Sequence, residues 1–168
     1  MVLRKEDFRR TIRSFIPEYV YAQLSNEEKE CFGESFFDFF SCFEESKSFL
    51  EEGEVDLKEF AVGFCFFCAG NKSAKLATGF EMLDTKQRGY LTEEMLLRYL
   101  QSYLTMLIGM SLLVPIGKQQ RRRPLTSERR KAMRLALENG AKWTLGHFLK
   151  ASRQTKNEYT FESFASWY

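Results

Sequence analysis

Three stretches of the chain, "GEVDLKEF", "GYLTEEML" and "NEYTFESF", follow one template. A glycine, or an asparagine in its place, is followed two positions later by an apolar or aromatic residue, and a helix-like pattern opens just beyond. Val55 and Leu91 are 36 residues apart, a period at which each copy is one supersecondary element that needs a partner to cover its apolar face. Phe80 and Leu83 lie four and one residues before Asp84, and Leu96 follows the twelfth position counted from that aspartate. Phe148 and Ala151 precede Ser152 in the same way, with Phe164 beyond the twelfth position. The template therefore predicts helix, loop, helix units, an all-α fold whose only strands are short pieces pairing one loop with another.

The helical segments can be read from spacing and punctuation. Phe8, Ile12, Phe15 and Ile16 fall at helical spacing, and Pro17 ends that run. Ser25 with Glu28 three residues on forms a capping box, which predicts a helix carrying Phe32, Phe36, Phe39, Phe40 and Phe43 on one stripe. "LKEFAVGFCFFCAG" predicts a helix stopped by Gly70 and Asn71, and "SAKLATGFEML" one that ends at Leu83. "EEMLLRYLQSYLTMLIGMSLL" predicts a long apolar helix ended by Pro115, and Ser127 is placed to cap the helix that follows. Strand signals are confined to Glu54–Leu57, Tyr90–Thr92 and Glu158–Phe161. The expected organisation is residues 1–110 with the first two units, a basic linker over 111–127, and residues 128–168 with the last unit.

These residues resemble EF-hand proteins. The run "VDLKEFAVGFCFFCAGNKSAKLATGFEMLDTKQRGYLTEEML" is similar to the central hands of the neuronal calcium sensor, calcineurin B and calaxin group. The resemblance covers roughly Phe32 to Tyr168 and implies paired EF-hand-like units with short inter-loop β pairing. It also implies that residues 3 to about 25 stand in for a first hand, whose loop the sequence does not reveal.

Calcium takes six to eight oxygens, which such a loop places at positions one, three, five, seven, nine and twelve, with a bidentate glutamate at the last. The loop that begins at Asp84 supplies Lys86, Arg88 and Met95 at positions three, five and twelve, so two cationic side chains stand where a cation needs oxygen. The loop from Ser152 offers Gln154, Lys156, Thr160 and Ser163 and is equally poor. Only the long acidic stretch from Glu44 to Glu59 has carboxylates enough for weak binding, with Glu44, Ser46, Ser48, Asp56 and Glu59 as candidate ligands. No cofactor is expected, and calcium at this one loop is the alternative.

Of the aromatic residues, 17 are Phe, 7 Tyr and 2 Trp, more than the core of one small domain easily covers. "FFDFF", "GFCFF" and "YLQSYLTMLIGM" carry apolar residues on several faces of their helices, a pattern suited to a groove that receives an amphipathic helix. The expected groove is floored by Phe36, Phe40, Phe60, Phe64, Phe67, Tyr99 and Tyr103. Its occupant would be a protein or peptide helix, or a segment of the same chain between Val114 and Leu125. The expected function is thus a calcium-independent interaction module, an adaptor or a structural subunit.

The formal charge of +2 is too small to suggest a nucleic-acid binder, yet it hides an asymmetry. Eight Lys or Arg and one acid lie between Gly117 and Arg134, which leaves the remaining chain at −5. That basic stretch suits contact with an acidic surface, and Thr126 or Ser127 within it are candidate phosphorylation sites. Cys31, Cys42, Cys65 and Cys68 could form a zinc or redox set, but the pairs sit inside apolar helical runs, where free cysteine packs as a small hydrophobe. His147 has no serine or cysteine motif beside it, and no Gly-rich phosphate loop or H-E-x-x-H is present. An enzyme is therefore not expected. No apolar stretch reaches the ~20 residues of a membrane span, the start "MVLRKEDF" has no signal-peptide core and Val2 precludes myristoylation. The expected location is cytoplasmic.

Overall fold

A computed structural model describes residues 2–26, 28, 29, 37, 54–113, 126–152 and 157–167. It is mostly helical, with two small antiparallel sheets. One geometric unit occurs four times among the described residues. A strand of two or three residues leads into a helix directly or after one residue, and the buried residue of the strand is followed five positions later by a buried residue of the helix. The pairs are Leu3 and Phe8, Val55 and Phe60, Leu91 and Leu96, Tyr159 and Phe164. The spacing has a simple cause: the strand residue faces the core, and one further turn of chain brings the next core-facing position round to the same side. The first of these units, "LRKEDF", is a copy additional to the three that the loop glycines mark.

By backbone contacts the chain divides into two units, residues 1–57 with 108–125, and residues 58–107 with 126–168. In the first, β1 (Val2–Arg4) pairs antiparallel with β2 (Glu54–Asp56), Leu3 opposite Val55, and Arg4 makes a cross-strand ion pair with Glu54 at 3.7 Å. Helix α1 (Lys5–Phe15) buries Phe8 and Ile12, Phe8 meeting the Phe37 ring edge-on at 5.4 Å, whereas Phe15 is exposed. Pro17 opens α2 (Glu18–Gln23), its carbonyl accepting from Val20 and Tyr21. Arg13 pairs with Glu18 and lies over the Tyr21 ring. The capping box is formed: Glu28 N–H donates to Ser25 Oγ at 3.2 Å, and Ser25 N–H donates to the Glu28 carboxylate at 2.8 Å. The helix predicted beyond it, with Phe36 and Phe40, falls outside the described residues.

β2 leads directly into α3 (Leu57–Cys65), which with α4 (Lys72–Leu83), β3 (Tyr90–Leu91) and α5 (Glu93–Leu113) builds the second unit as far as Leu107. α6 (Ser127–Ser152), β4 (Tyr159–Thr160) and α7 (Phe161–Trp167) complete it. Asn71 caps α4 by accepting from Ala74 N–H at 2.8 Å. β3 and β4 pair antiparallel, Tyr90 opposite Thr160 and Leu91 opposite Tyr159. Asn157, which holds the glycine position of the third template, accepts from Glu93 N–H at 2.6 Å, so the β4 loop caps α5. Leu76, Phe80, Tyr99, Leu145, Phe148 and Phe164 are central to a single core drawn from α4, α5, α6 and α7. α3 crosses α5 at Gly63 so closely that a Cβ there would lie 2.5 Å from the Ser102 carbonyl oxygen. Among the described residues no helix is long and apolar enough to cross a membrane.

Candidate functional site

The loop from Asp84 to Met95 is the best-defined feature with the form of a binding site. Asp84 ends α4 and is only 6% exposed, so its carboxylate has left water and needs compensation. Gln87 and Gly89 take positive φ values of 50° and 77°, which turns the chain back over the aspartate. The glycine is the cheap residue for that turn because it has no Cβ to clash. Gly89 N–H then donates to Asp84 Oδ2 at 2.6 Å. Asp84 Oδ1 is buried without a hydrogen bond among the described residues, and its compensation is Arg88 Nε at 3.9 Å. The same guanidinium lies over the Tyr90 ring at 4.8 Å and donates from Nη2 to Met95 Sδ at 3.4 Å. Arg88 thus touches the residues at the first, seventh and twelfth loop positions, the span that an ion would bridge. Lys86 is exposed and makes no such contact.

The other loops are committed differently. Glu59, the last carboxylate of the acidic stretch, is buried and accepts from Arg98 Nε at 2.9 Å, so its charge is already matched within the fold. Asp56 lies half-buried in β2, while Glu44, Ser46 and Ser48 lie outside the described residues. In the last loop Tyr159 is buried, and burial, followed by the nearby Glu93 charge, pushes its phenol above the ordinary range.

The five described members of the aromatic groove set are distributed between core and surface. Phe60 and Tyr99 are core residues in this conformation, at 2% and 1% exposure. Phe60 stacks on Phe64 at 5.6 Å, and Tyr99 meets Phe164 edge-on at 5.1 Å. Phe64 and Tyr103 are half-buried, Phe67 is exposed, and Phe36 and Phe40 lie outside the described residues. Two further members of this surface are not on the sequence stripe. Phe66 packs on Tyr103 at 4.6 Å and on Tyr99 at 5.8 Å, and Leu107 is 43% exposed one turn beyond Tyr103. Phe66 escapes a helical wheel because α3 stops at Cys65. Tight i to i+3 turns, Phe67 N–H to Phe64 and Cys68 N–H to Cys65, then rotate it toward α5. Phe64 and Phe67, on α3 and the turn after it, and Tyr103 and Leu107, on α5, thus keep apolar surface in solvent beside the crossing at Gly63, and Phe66 is the ring that reaches Tyr103.

Cys65 donates to Val62 O at 3.0 Å, and burial, reinforced by Cys68, pushes its thiol up and away from the thiolate that zinc needs. Cys68 is exposed, and Cys31 and Cys42 lie outside the described residues. Among the described residues no three His, Cys, Asp or Glu side chains converge as a metal cluster. Thr126 caps α6, accepting from Arg129 N–H at 3.3 Å, and Ser127 is the exposed first residue of that helix. His147 packs on Trp143 at 4.2 Å on the outer side of α6.

Comparison with protein-family models, with curated proteins and with solved structures returned no match for this chain.

Proposed function

We propose that this chain is a calcium-independent, EF-hand-like interaction module that holds a helical peptide or protein segment along the apolar edge of α3 and α5. The observation that carries the reading is Arg88. A loop that needs an ion stays loose until the ion arrives, whereas this loop bridges Asp84, Tyr90 and Met95 with a cation of its own. Pairing of β3 with β4, and so the spacing of the helices on either side, then needs no metal. In this reading the paired loops act as a fixed scaffold, and recognition falls to Phe64, Phe67, Tyr103 and Leu107. Burying one such aromatic contributes roughly 1.5–3 kcal/mol, so the loss of a single anchor changes affinity by about tenfold or more.

The test is to pan the protein against a display library of helical peptides, once in chelator and once in calcium. Amphipathic sequences are expected to be enriched equally in both conditions, and Phe64→Ala or Tyr103→Ala is expected to weaken the selected peptides about tenfold or more with helical content kept. Absence of enrichment would remove the interaction reading, and enrichment only in calcium would make the protein a sensor. A second measurement addresses the loop. Lys86→Asp, Arg88→Asp and Met95→Glu together restore oxygen donors at positions three, five and twelve. Calorimetry is expected to find calcium uptake in this triple variant and none in the same loop of the parent. A silent triple variant would mean that the loop is not built on a calcium-binding frame.

A further inference from the structure

We infer that the outer face of α6 is a docking surface for an anionic phospholipid membrane, which it meets lying flat, with Trp143 as its anchor. α6 buries Leu137, Ala141, Leu145 and Phe148 on one side. The opposite stripe carries Lys131, Leu135, Lys142, Trp143 and Lys150, all exposed. Trp143 is 68% exposed and Leu135 58%, the second and third highest values among the exposed large apolar side chains. A folded protein gains nothing from holding an indole in water, and its amphipathic ring suits the boundary between headgroups and acyl chains.

The charge on this face identifies the occupant. On this face the exposed Lys131, Lys142 and Lys150 outnumber the one exposed acid, Glu128, and among the described residues no carboxylate pairs with Lys131, Lys142 or Lys150. These three lysines are spread along about 28 Å of helix, on both sides of Trp143. An acidic peptide would need walls to hold it, but this is a convex face. A Cβ at Gly146, one turn from Lys142, would meet nothing within 4 Å. A membrane needs no walls, because lipid headgroups gather around a cationic helix and the apolar tips enter between them. The surface is separate from the edge of Phe64 and Tyr103, so the inference does not depend on the peptide reading.

The experiment uses the whole chain with vesicles of phosphatidylcholine alone, or with about one third phosphatidylserine, read by co-sedimentation and tryptophan emission. Binding to the anionic vesicles alone is expected, with a blue shift that comes from Trp143, since Trp167 is already packed against Phe148 and Phe164. One basic side chain near an anionic surface is worth about fivefold in partitioning. Lys142→Glu is therefore expected to weaken binding about tenfold, and Trp143→Ala to weaken it similarly and abolish the shift. Lys86→Glu, the same charge change on a loop elsewhere, is expected to leave binding within about twofold. The inference is overturned if neither vesicle binds, or if binding survives Trp143→Ala unchanged. It is also overturned if poly-glutamate shifts the emission and vesicles do not, which would make the occupant an acidic polypeptide.

Discussion

Phe148→Ala is expected to lower the unfolding free energy by about 3–5 kcal/mol, the range for deleting a fully buried aromatic ring. Phe148 is 1% exposed and stands on α6, where its ring meets Tyr159 of β4 at 5.2 Å and Phe164 and Trp167 of α7 at 5.8 and 5.3 Å, all edge-on. Truncation removes the burial of one ring and also the side on which three others lean. The cavity is hard to close, because Tyr159 is fixed by its pairing with Leu91 and cannot follow the missing atoms inward. Chemical denaturation of the variant, compared with Leu135→Ala on the exposed side of the same helix, reads the difference. Leu135→Ala is expected to fall within about 0.5 kcal/mol of the parent. A Phe148→Ala cost below about 1 kcal/mol would contradict the packing of α6 on α7.

Gly63→Ala is expected to cost about 3 kcal/mol, at the upper end for overpacking, although alanine is the better helix former by about 1 kcal/mol. The new methyl group would sit 2.5 Å from the Ser102 carbonyl oxygen and 3.0 Å from Met106 Cβ. A flexible side chain could move aside, but a carbonyl inside a helix cannot move without its helix, so α3 has to part from α5. In the interaction reading proposed above, affinity for a selected peptide is expected to fall along with stability. Gly146→Ala is the contrasting substitution, since open space surrounds that position, and it is expected to stabilise by about 0.5–1 kcal/mol. Equal effects at the two glycines, measured by denaturation, would mean that α3 and α5 do not approach as described.

Local chemistry in the sequence predicts local structure well. Ser25 with Glu28 predicts the capping box, and the three template glycines or asparagines mark β2, β3 and β4 within a residue or two, but the helix expected to run to Gly70 and Asn71 ends at Cys65, and Asn71 instead caps α4. β1 is harder to see. Its Leu3-to-Phe8 spacing matches the other units, but no glycine precedes it, and the glycine is the cue that the other copies supply. The buried Glu59–Arg98 pair joins residues 39 apart in sequence. Nothing in the residues near Glu59 distinguishes a carboxylate held for an ion from one matched by a distant arginine. The same limit applies to the aromatic edge, since one face of a helix carries both core and surface residues. Phe60 and Phe64 fall on a single stripe, yet one is core and the other half-buried. What separates them is where α5 crosses, and that is set by Gly63 and Ser102 together.

The two sheets also bear on how the chain reaches its fold. Leu3 meets Val55, and Leu91 meets Tyr159, so each pairing closes a long stretch of chain to gain only two or three residues of ladder. Helices form from near neighbours within microseconds, whereas contacts distant in sequence come late and slow the search. β3 and β4 are therefore expected to pair late, after α5 and α6 have formed, because joining Leu91 to Tyr159 closes a stretch of chain 68 residues long. The cost of such a closure changes slowly with length, each doubling adding only about 0.6 kcal/mol. Length added between β3 and β4 is therefore expected to slow their pairing more than it weakens it.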